Sequence, residues 1–305
     1  MRLLVAYDGS AGAELAASFV VGGHWPDGSS ARVVAVIEPT AALVPSMPGA
    51  PSRLASSPEI EAEIEDFLRG EVDGLVGRLR TAGLEADGAV SRGRPASILV
   101  EEASRSAADL VVIGSRGHGP IASLVLGSVS AEVVDHAPCP VLVARGAGRD
   151  RVLFATDGSV SADQAESLIR EWPIFEGTTV RVLSVAEDIR PWHTGVAPTM
   201  VRQVAAAHAE ELRKAKAAHE ALAHETAERL TAAGHAADAA IRVGDAAAEI
   251  IAEAESWGAD LVVMGSRGRT GLTRILLGSV ARNVLQGSRS SVLIVRDRSH
   301  ETRGG

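Results

Sequence analysis

One glycine pattern occurs twice in this chain, and it constrains the fold more than any other feature. Gly114-Ser115-Arg116-Gly117 is followed, after nine intervening residues, by Gly127-Ser128; Gly265-Ser266-Arg267-Gly268 is followed at the same spacing by Gly278-Ser279. Each copy comes directly after an apolar run, Asp109-Leu110-Val111-Val112-Ile113 and Asp260-Leu261-Val262-Val263-Met264. Such runs read as buried parallel strands, so each glycine loop leaves the carboxyl end of a strand. That edge is where open α/β sheets hold their ligands.

The repeat extends over the whole chain. Leu3-Leu4-Val5-Ala6-Tyr7-Asp8-Gly9-Ser10 matches Val152-Leu153-Phe154-Ala155-Thr156-Asp157-Gly158-Ser159 at an offset of 149, and the glycine motifs match at an offset of 151. The runs Arg32–Glu38 and Arg181–Glu187, Val90–Ala96 and Ile241–Ala247, and Pro140–Arg145 and Ser291–Arg296 also correspond. A duplication of this length predicts two domains of one fold. In each half short Val/Ile/Leu runs alternate with Ala-rich stretches of helical length, and right-handed crossovers turn that order into an α/β, doubly wound parallel sheet with helices on both faces. Domain boundaries at 1–146 and 150–297 follow from the Gly-rich break at Gly146-Ala147-Gly148-Arg149-Asp150, with a disordered tail at 298–305. Long second helices are expected from about Pro58 to Gly83 and from about Pro198 to Gly234, each stopped by its glycine. Irregular segments at Pro39–Pro58 and Asp188–Pro198 precede them.

Bulk composition narrows the function. The 305 residues supply enough apolar sequence for two cores, and the aromatic share of only 3% suits tightly packed parallel sheets. A formal charge of −9 without a Lys/Arg cluster argues against nucleic acid as a partner. No run reaches the length of a membrane span, and the N-terminus enters a strand rather than a signal peptide. The single cysteine, Cys139, is read as a packing residue in a reducing compartment, so a soluble cytoplasmic protein is expected. His208, His219 and His224 are spaced eleven and five apart, which does not suit a metal site, and they are expected as solvated helix residues.

The glycine loops have the chemistry of an anion site. Gly114, Gly117 and Gly127, with Gly265, Gly268 and Gly278, let backbone N–H groups approach a phosphate closely. Ser128 and Ser279 then open helices, where free N–H groups and the helix dipole favour negative charge. A helix N-terminus contributes about 0.3–1 kcal/mol, and each hydrogen bond to a charged group about 1.5–3 kcal/mol. Four or five local donors therefore outweigh the diffuse acidic charge, with Arg116, Arg267 and Mg²⁺ offsetting the remaining repulsion. The pattern is neither a Walker A loop nor a Rossmann fingerprint, since the turn after the first strand carries Asp-Gly-Ser.

With these motifs the chain resembles the tandem universal stress proteins of actinobacteria, from Leu3 to about Arg296, and the intact Gly-x2-Gly-x9-Gly-Ser pattern is similar to that of the family's ATP-binding branch. The resemblance implies five-stranded sheets in the order 3-2-1-4-5 and one ATP, with Mg, lying across the carboxyl edge of each. It implies that Asp8 and Asp157 contact the ribose or adenine side, and that Val36 and Val185 offer backbone groups to the adenine. Gly114 and Gly265 would lie by the ribose, and Gly117, Gly127, Ser128, Gly268, Gly278 and Ser279 by the phosphates. The fifth strands would join the halves into an internal pseudo-dimer, and a further homodimer and a regulatory protein partner are also compatible with the family. Ser130 faces Ala281 across the repeat, so the two sites are expected to differ at a hydroxyl near the phosphates. Asp8 and Asp157 also have a plain role available, as turn or capping residues.

Three functions fit: an ATP-binding stress regulator, a slow ATP hydrolase or phosphotransferase, and a nucleotide-free scaffold. Phosphoryl transfer needs a positioned base and metal-binding carboxylates. The acidic residues expected near the loops are Asp8 and Asp157, placed on the nucleoside side, so binding is favoured over catalysis.

Overall fold

The computed structural model describes residues 1–38, 58–117, 126–188, 201–268 and 277–296, with the backbone alone at 58–60 and 201–206. The Pro-rich stretch before Pro58, most of the 188–198 segment and the tail at 298–305 lie outside the described residues. Two compact units meet between Ala147 and Gly148.

The first unit runs β1 (Arg2–Ala6), α1 (Ala11–Val21), β2 (Ser30–Ile37), α2 (Pro58–Thr81), β3 (Glu85–Arg92), α3 (Pro95–Arg105), β4 (Leu110–Gly114), α4 (Ser128–His136) and β5 (Val141–Ala144). Its strands pair in parallel in the order β3-β2-β1-β4-β5. The second unit runs β6 (Arg151–Ala155), α5 (Val160–Glu171), a 3₁₀ turn at Pro173–Phe175, β7 (Thr179–Ala186), α6 (Val201–Ala232), β8 (Ala236–Val243), α7 (Ala246–Trp257), β9 (Leu261–Gly265), α8 (Ser279–Gly287) and β10 (Ser291–Val295). Its order, β8-β7-β6-β9-β10, repeats the first. The expected doubly wound fold and strand order are thus present in both halves.

The chemistry of each element explains its place. The central strands β4 and β9 are buried at every residue, as apolar runs covered on both faces must be. Ser10 and Ser159 start α1 and α5, their side chains accepting from the backbone N–H of Ala13 and Ala162. The long helices α2 and α6 end two residues before Gly83 and Gly234, whose φ values of +90° and +98° take the chain out of the helix. Phe19, Phe154, Phe175 and Leu79 are fully buried, each such side chain contributing about 1.5–3 kcal/mol. Among the described residues no helix is long and apolar enough to cross a membrane.

One buried charge cluster was not evident from the sequence. Glu253 of α7 is 2% exposed and is bound by Arg181 of β7 at 3.1 Å and by Arg242 of β8, while Arg151 and Arg181 lie over the Trp257 ring at 4.7 and 4.8 Å. Glu102 occupies the same place in the first unit beside Arg32 and Arg105. Replacing Glu253 by alanine leaves guanidinium groups facing one another without their shared carboxylate. Because Arg181 and Arg242 retain some solvent contact, the expected loss is about 2 kcal/mol, below the 3–5 kcal/mol of a fully buried pair; chemical denaturation of the variant measures it.

Candidate functional site

The strand order reverses between β1 and β4 in the first unit and between β6 and β9 in the second. At such a switch point the loops that leave two neighbouring strands diverge to opposite faces and open a crevice at the carboxyl edge. Here those loops are the Asp-Gly-Ser turn and the first part of the glycine motif.

The Asp8 turn is held by its own side chain. Asp8 Oδ1 accepts from the Ser10 N–H at 3.0 Å, and Asp157 Oδ1 accepts from the Ser159 N–H at 3.0 Å, so both aspartates shape the turn. Gly9 and Gly158, at φ +74° and +72°, supply the left-handed backbone it needs. The other carboxylate oxygen faces the glycine loop: a Cβ on Gly117 would stand 2.6 Å from Asp8 Oδ2, and one on Gly268 would stand 2.9 Å from Asp157 Oδ2. The structure therefore brings Asp8 to Gly117 and Asp157 to Gly268, residues far apart in the chain.

Gly114 and Gly265 have a packing reason of their own. A Cβ on Gly114 would lie 2.4 Å from Gly12 C and 2.8 Å from Ala13 N, because α1 crosses β4 backbone against backbone. A Cβ on Gly265 would lie 2.3 Å from Ser161 Oγ. Close helix–strand packing alone explains these two glycines, whatever lies above them.

Gly127 is different. It is the N-cap of α4 at φ −63°, in a backbone conformation open to any residue, and the nearest atom to an added Cβ is Ser115 O at an ordinary 3.4 Å. Gly278 caps α8 at φ −63° as well, with Ser266 O at a tighter 3.2 Å from an added Cβ. Among the described residues no side chain caps either helix, although Ser, Thr, Asp and Asn are the usual choices. The backbone N–H groups of the first turn, with the exposed Ser128 and Ser279 at its start, thus face outward at the carboxyl edge. Each cap glycine is fixed in place by its own N–H, which donates to Ser115 O at 2.9 Å or to Ser266 O at 2.8 Å.

Positive charge gathers nearby, from Arg116 and Arg145 in the first unit and from Arg267 and Arg296 at the matching positions of the second. Arg116 is exposed beside Gly117. Burial, and then the charge of Arg116, pull the Arg145 guanidinium at the end of β5 down to about 10. Two guanidinium groups within each other's field favour an anion between or beside them.

Ser130 does not point where the sequence suggested. It is buried, and its hydroxyl donates to Gly114 O at 2.8 Å, so its replacement by Ala281 in the repeat removes an anchor of the strand end rather than a hydroxyl of the ligand side. Val36 and Val185 sit one residue before the ends of β2 and β7, next to β1 and β6, at the same edge as the glycine loops.

The flank toward α2 and α6 differs between the halves. In the first, Tyr7 Oη bonds Glu14 and approaches Glu71 Oε2 at 3.4 Å, and Arg78 bonds Glu14 at 2.9 Å. Burial, reinforced by the Glu14 hydrogen bond and charge, pushes the Tyr7 phenol well above its usual range. Burial alone would raise Glu14, but the bonds from Tyr7 and Arg78 outweigh it and hold the carboxyl below its ordinary value. In the second half His219 Nδ1 lies 2.8 Å from Ser184 Oγ, which donates to Thr156 O, and His208 Nε2 lies 2.8 Å from Asp188. His208 and His219 are therefore half-buried, partnered residues and not the solvated ones expected; only His224 is exposed as predicted. Spacing within α6 could not reveal this, since the partners come from β7 and the residues just after it. Among the described residues no group of His, Cys, Asp and Glu is arranged to hold a metal ion.

This duplicated geometry has known counterparts. The profile of the universal stress protein family matches residues 1–145 and again 148–296. The chain belongs to this family. Among the similar universal stress proteins, one from Thermus aquaticus is 37% identical over 143 residues, covering 47% of this chain and 97% of that protein. One from Mycolicibacterium smegmatis is 31% identical over 237 residues, covering 72% of this chain and 71% of its own length, a relative of tandem size. The crystal structure of a universal stress protein from Archaeoglobus fulgidus superposes with a TM-score of 0.65 over 98% of this chain and 97% of that one; at 19% identity the likeness establishes the fold.

Proposed function

We propose that each half of this universal stress protein binds one ATP at its carboxyl edge and that the protein acts as a nucleotide-responsive regulator rather than a catalyst. The observation that carries the reading is the pair of cap glycines, Gly127 and Gly278: the backbone angles do not require glycine there, no side chain among the described residues caps the helices, and the donors of the first turn lie at the edge. Ser128 and Ser279 add hydroxyl donors for the phosphates, Gly117 and Gly268 keep the loop thin, and Arg116 and Arg267 neutralise charge. Asp8 and Asp157, already braced by the Ser10 and Ser159 N–H groups, would accept from a ribose hydroxyl. The carbonyl and N–H groups near Val36 and Val185 would meet the base. Bound Mg²⁺ would supply charge neutralisation between phosphates, held by the nucleotide and water.

These residues bind, orient and neutralise. Asp8 and Asp157 are committed to their turns, which favours holding the nucleotide over activating water for attack on it. Denaturing the purified full chain and identifying the released small molecules by mass spectrometry is expected to yield an adenine nucleotide, or an empty protein that takes up ATP on addition. A protein that is empty and stays empty would refute the reading.

A further inference from the structure

We propose that the two sites are unequal, that the second-half site is the tighter, and that Ser161 is the positioning residue that makes it so. The inference rests on the nucleotide reading above.

Gly12 and Ser161 occupy the same place in the repeat, the second residue of α1 and of α5. In the second half the Ser161 hydroxyl donates to Arg267 O at 2.7 Å and accepts from the Arg267 N–H at 3.4 Å, and Ser159 Oγ donates to the same carbonyl at 3.0 Å. The entry of the glycine loop is thereby pinned to the first helix at both backbone groups of Arg267. In the first half the matching bond runs from Ser10 Oγ to Arg116 O at 3.3 Å, and Gly12 has no hydroxyl to add. Its backbone instead takes the carbonyl so close that a Cβ would stand 2.1 Å from Arg116 O. The first-half hydroxyl without a counterpart, Ser130, anchors Gly114 before the loop and does not hold Arg116.

A loop whose entry is already fixed loses less freedom when its N–H groups close on an anion, so more of the binding energy appears as affinity. A second difference acts in the same direction. Over the Asp-Gly-Ser turn the first half places a carboxylate, with Glu71 Oε2 3.6 Å from the Cβ position of Gly9. The second half places an isobutyl group there, with Leu222 Cδ2 3.4 Å from the Cβ position of Gly158. An anionic ligand is repelled by the first and indifferent to the second.

The test uses the full chain with one half silenced at a time. Calorimetric titration with MgATP is expected to give about tenfold tighter binding to Gly117→Val, which keeps the second site, than to Gly268→Val, which keeps the first. In the Gly117→Val background, Ser161→Ala is expected to weaken ATP by about fivefold to tenfold, and Ser161→Thr, which restores a hydroxyl, to recover it with the melting temperature of the alanine variant nearly unchanged. Equal affinities in the two single-site proteins, or an unchanged affinity in Ser161→Ala, would overturn the inequality while leaving nucleotide binding intact. Loss of ATP by both single-site proteins and by the unaltered chain would remove the underlying reading as well. The comparison of the single-site proteins decides the order of affinities even where Ser161→Ala fails to fold.

Discussion

The Gly117→Val/Gly268→Val double variant is expected to lose ATP affinity by about a hundredfold or more while melting within a few degrees of the parent. Both residues are exposed, so no core is disturbed. A valine at either position must instead displace the facing aspartate, whose Oδ2 would lie 2.6 Å from the new Cβ in the first half and 2.9 Å in the second. To make room the carboxylate gives up its bond to the Ser10 or Ser159 N–H, at a cost of about 1 kcal/mol in each half, which leaves the fold in place. On the proposed reading it is then lost to the nucleotide, and the loop N–H groups recede behind two methyl groups. Each lost hydrogen bond to a charged group is worth about 1.5–3 kcal/mol, so the loss of two contacts already accounts for the expected effect. Titration of the variant and its thermal melting separate this outcome from unfolding.

Gly114→Ala is expected to act in the opposite way, damaging the fold first. Its Cβ would meet Gly12 C at 2.4 Å, Gly12 O at 2.5 Å and Ala13 N at 2.8 Å. These are backbone atoms at the start of α1, and no rotamer change moves them. Helix α1 must lift from β4, an overpacking cost of about 3 kcal/mol, which lowers the melting temperature by roughly 10 °C for a unit of this size. Gly74→Ala serves as the control. Gly74 lies within α2 with nothing within 4 Å of its Cβ position, and alanine there is expected to stabilise by about 0.5–1 kcal/mol. A Gly114→Ala protein of unchanged stability would show that the α1–β4 approach is looser than described.

These two variants also mark how far the sequence could be read. The repeat, the strands and their order were legible because buried parallel strands are apolar without interruption, as β4 and β9 are, and because Gly83 and Gly234 end their helices by local geometry. The position of the glycine loops at the carboxyl edge followed from the same local signals. What was not legible depends on contacts between residues remote in the chain. Gly114 was read as a ligand contact, yet its partner Gly12 lies at the start of the chain's first helix and gives it a role in packing. Ser130 was read as a phosphate-side hydroxyl, but the buried side chain turns back to Gly114 O. His208 and His219 gained their partners from β7 and its exit, which no spacing within α6 discloses. The Gly12–Ser161 difference carries no signal in the aligned halves and acquires meaning only once Arg116 and Arg267 are seen beside those positions.

The most direct measurement is the stoichiometry of MgATP binding to the unaltered full chain by titration calorimetry, run beside the double glycine variant. Two nucleotides per chain, both lost in the variant while the fold persists, is the predicted result. No uptake by the unaltered chain, or uptake that survives in the variant, would contradict a nucleotide site at the carboxyl edge of each half.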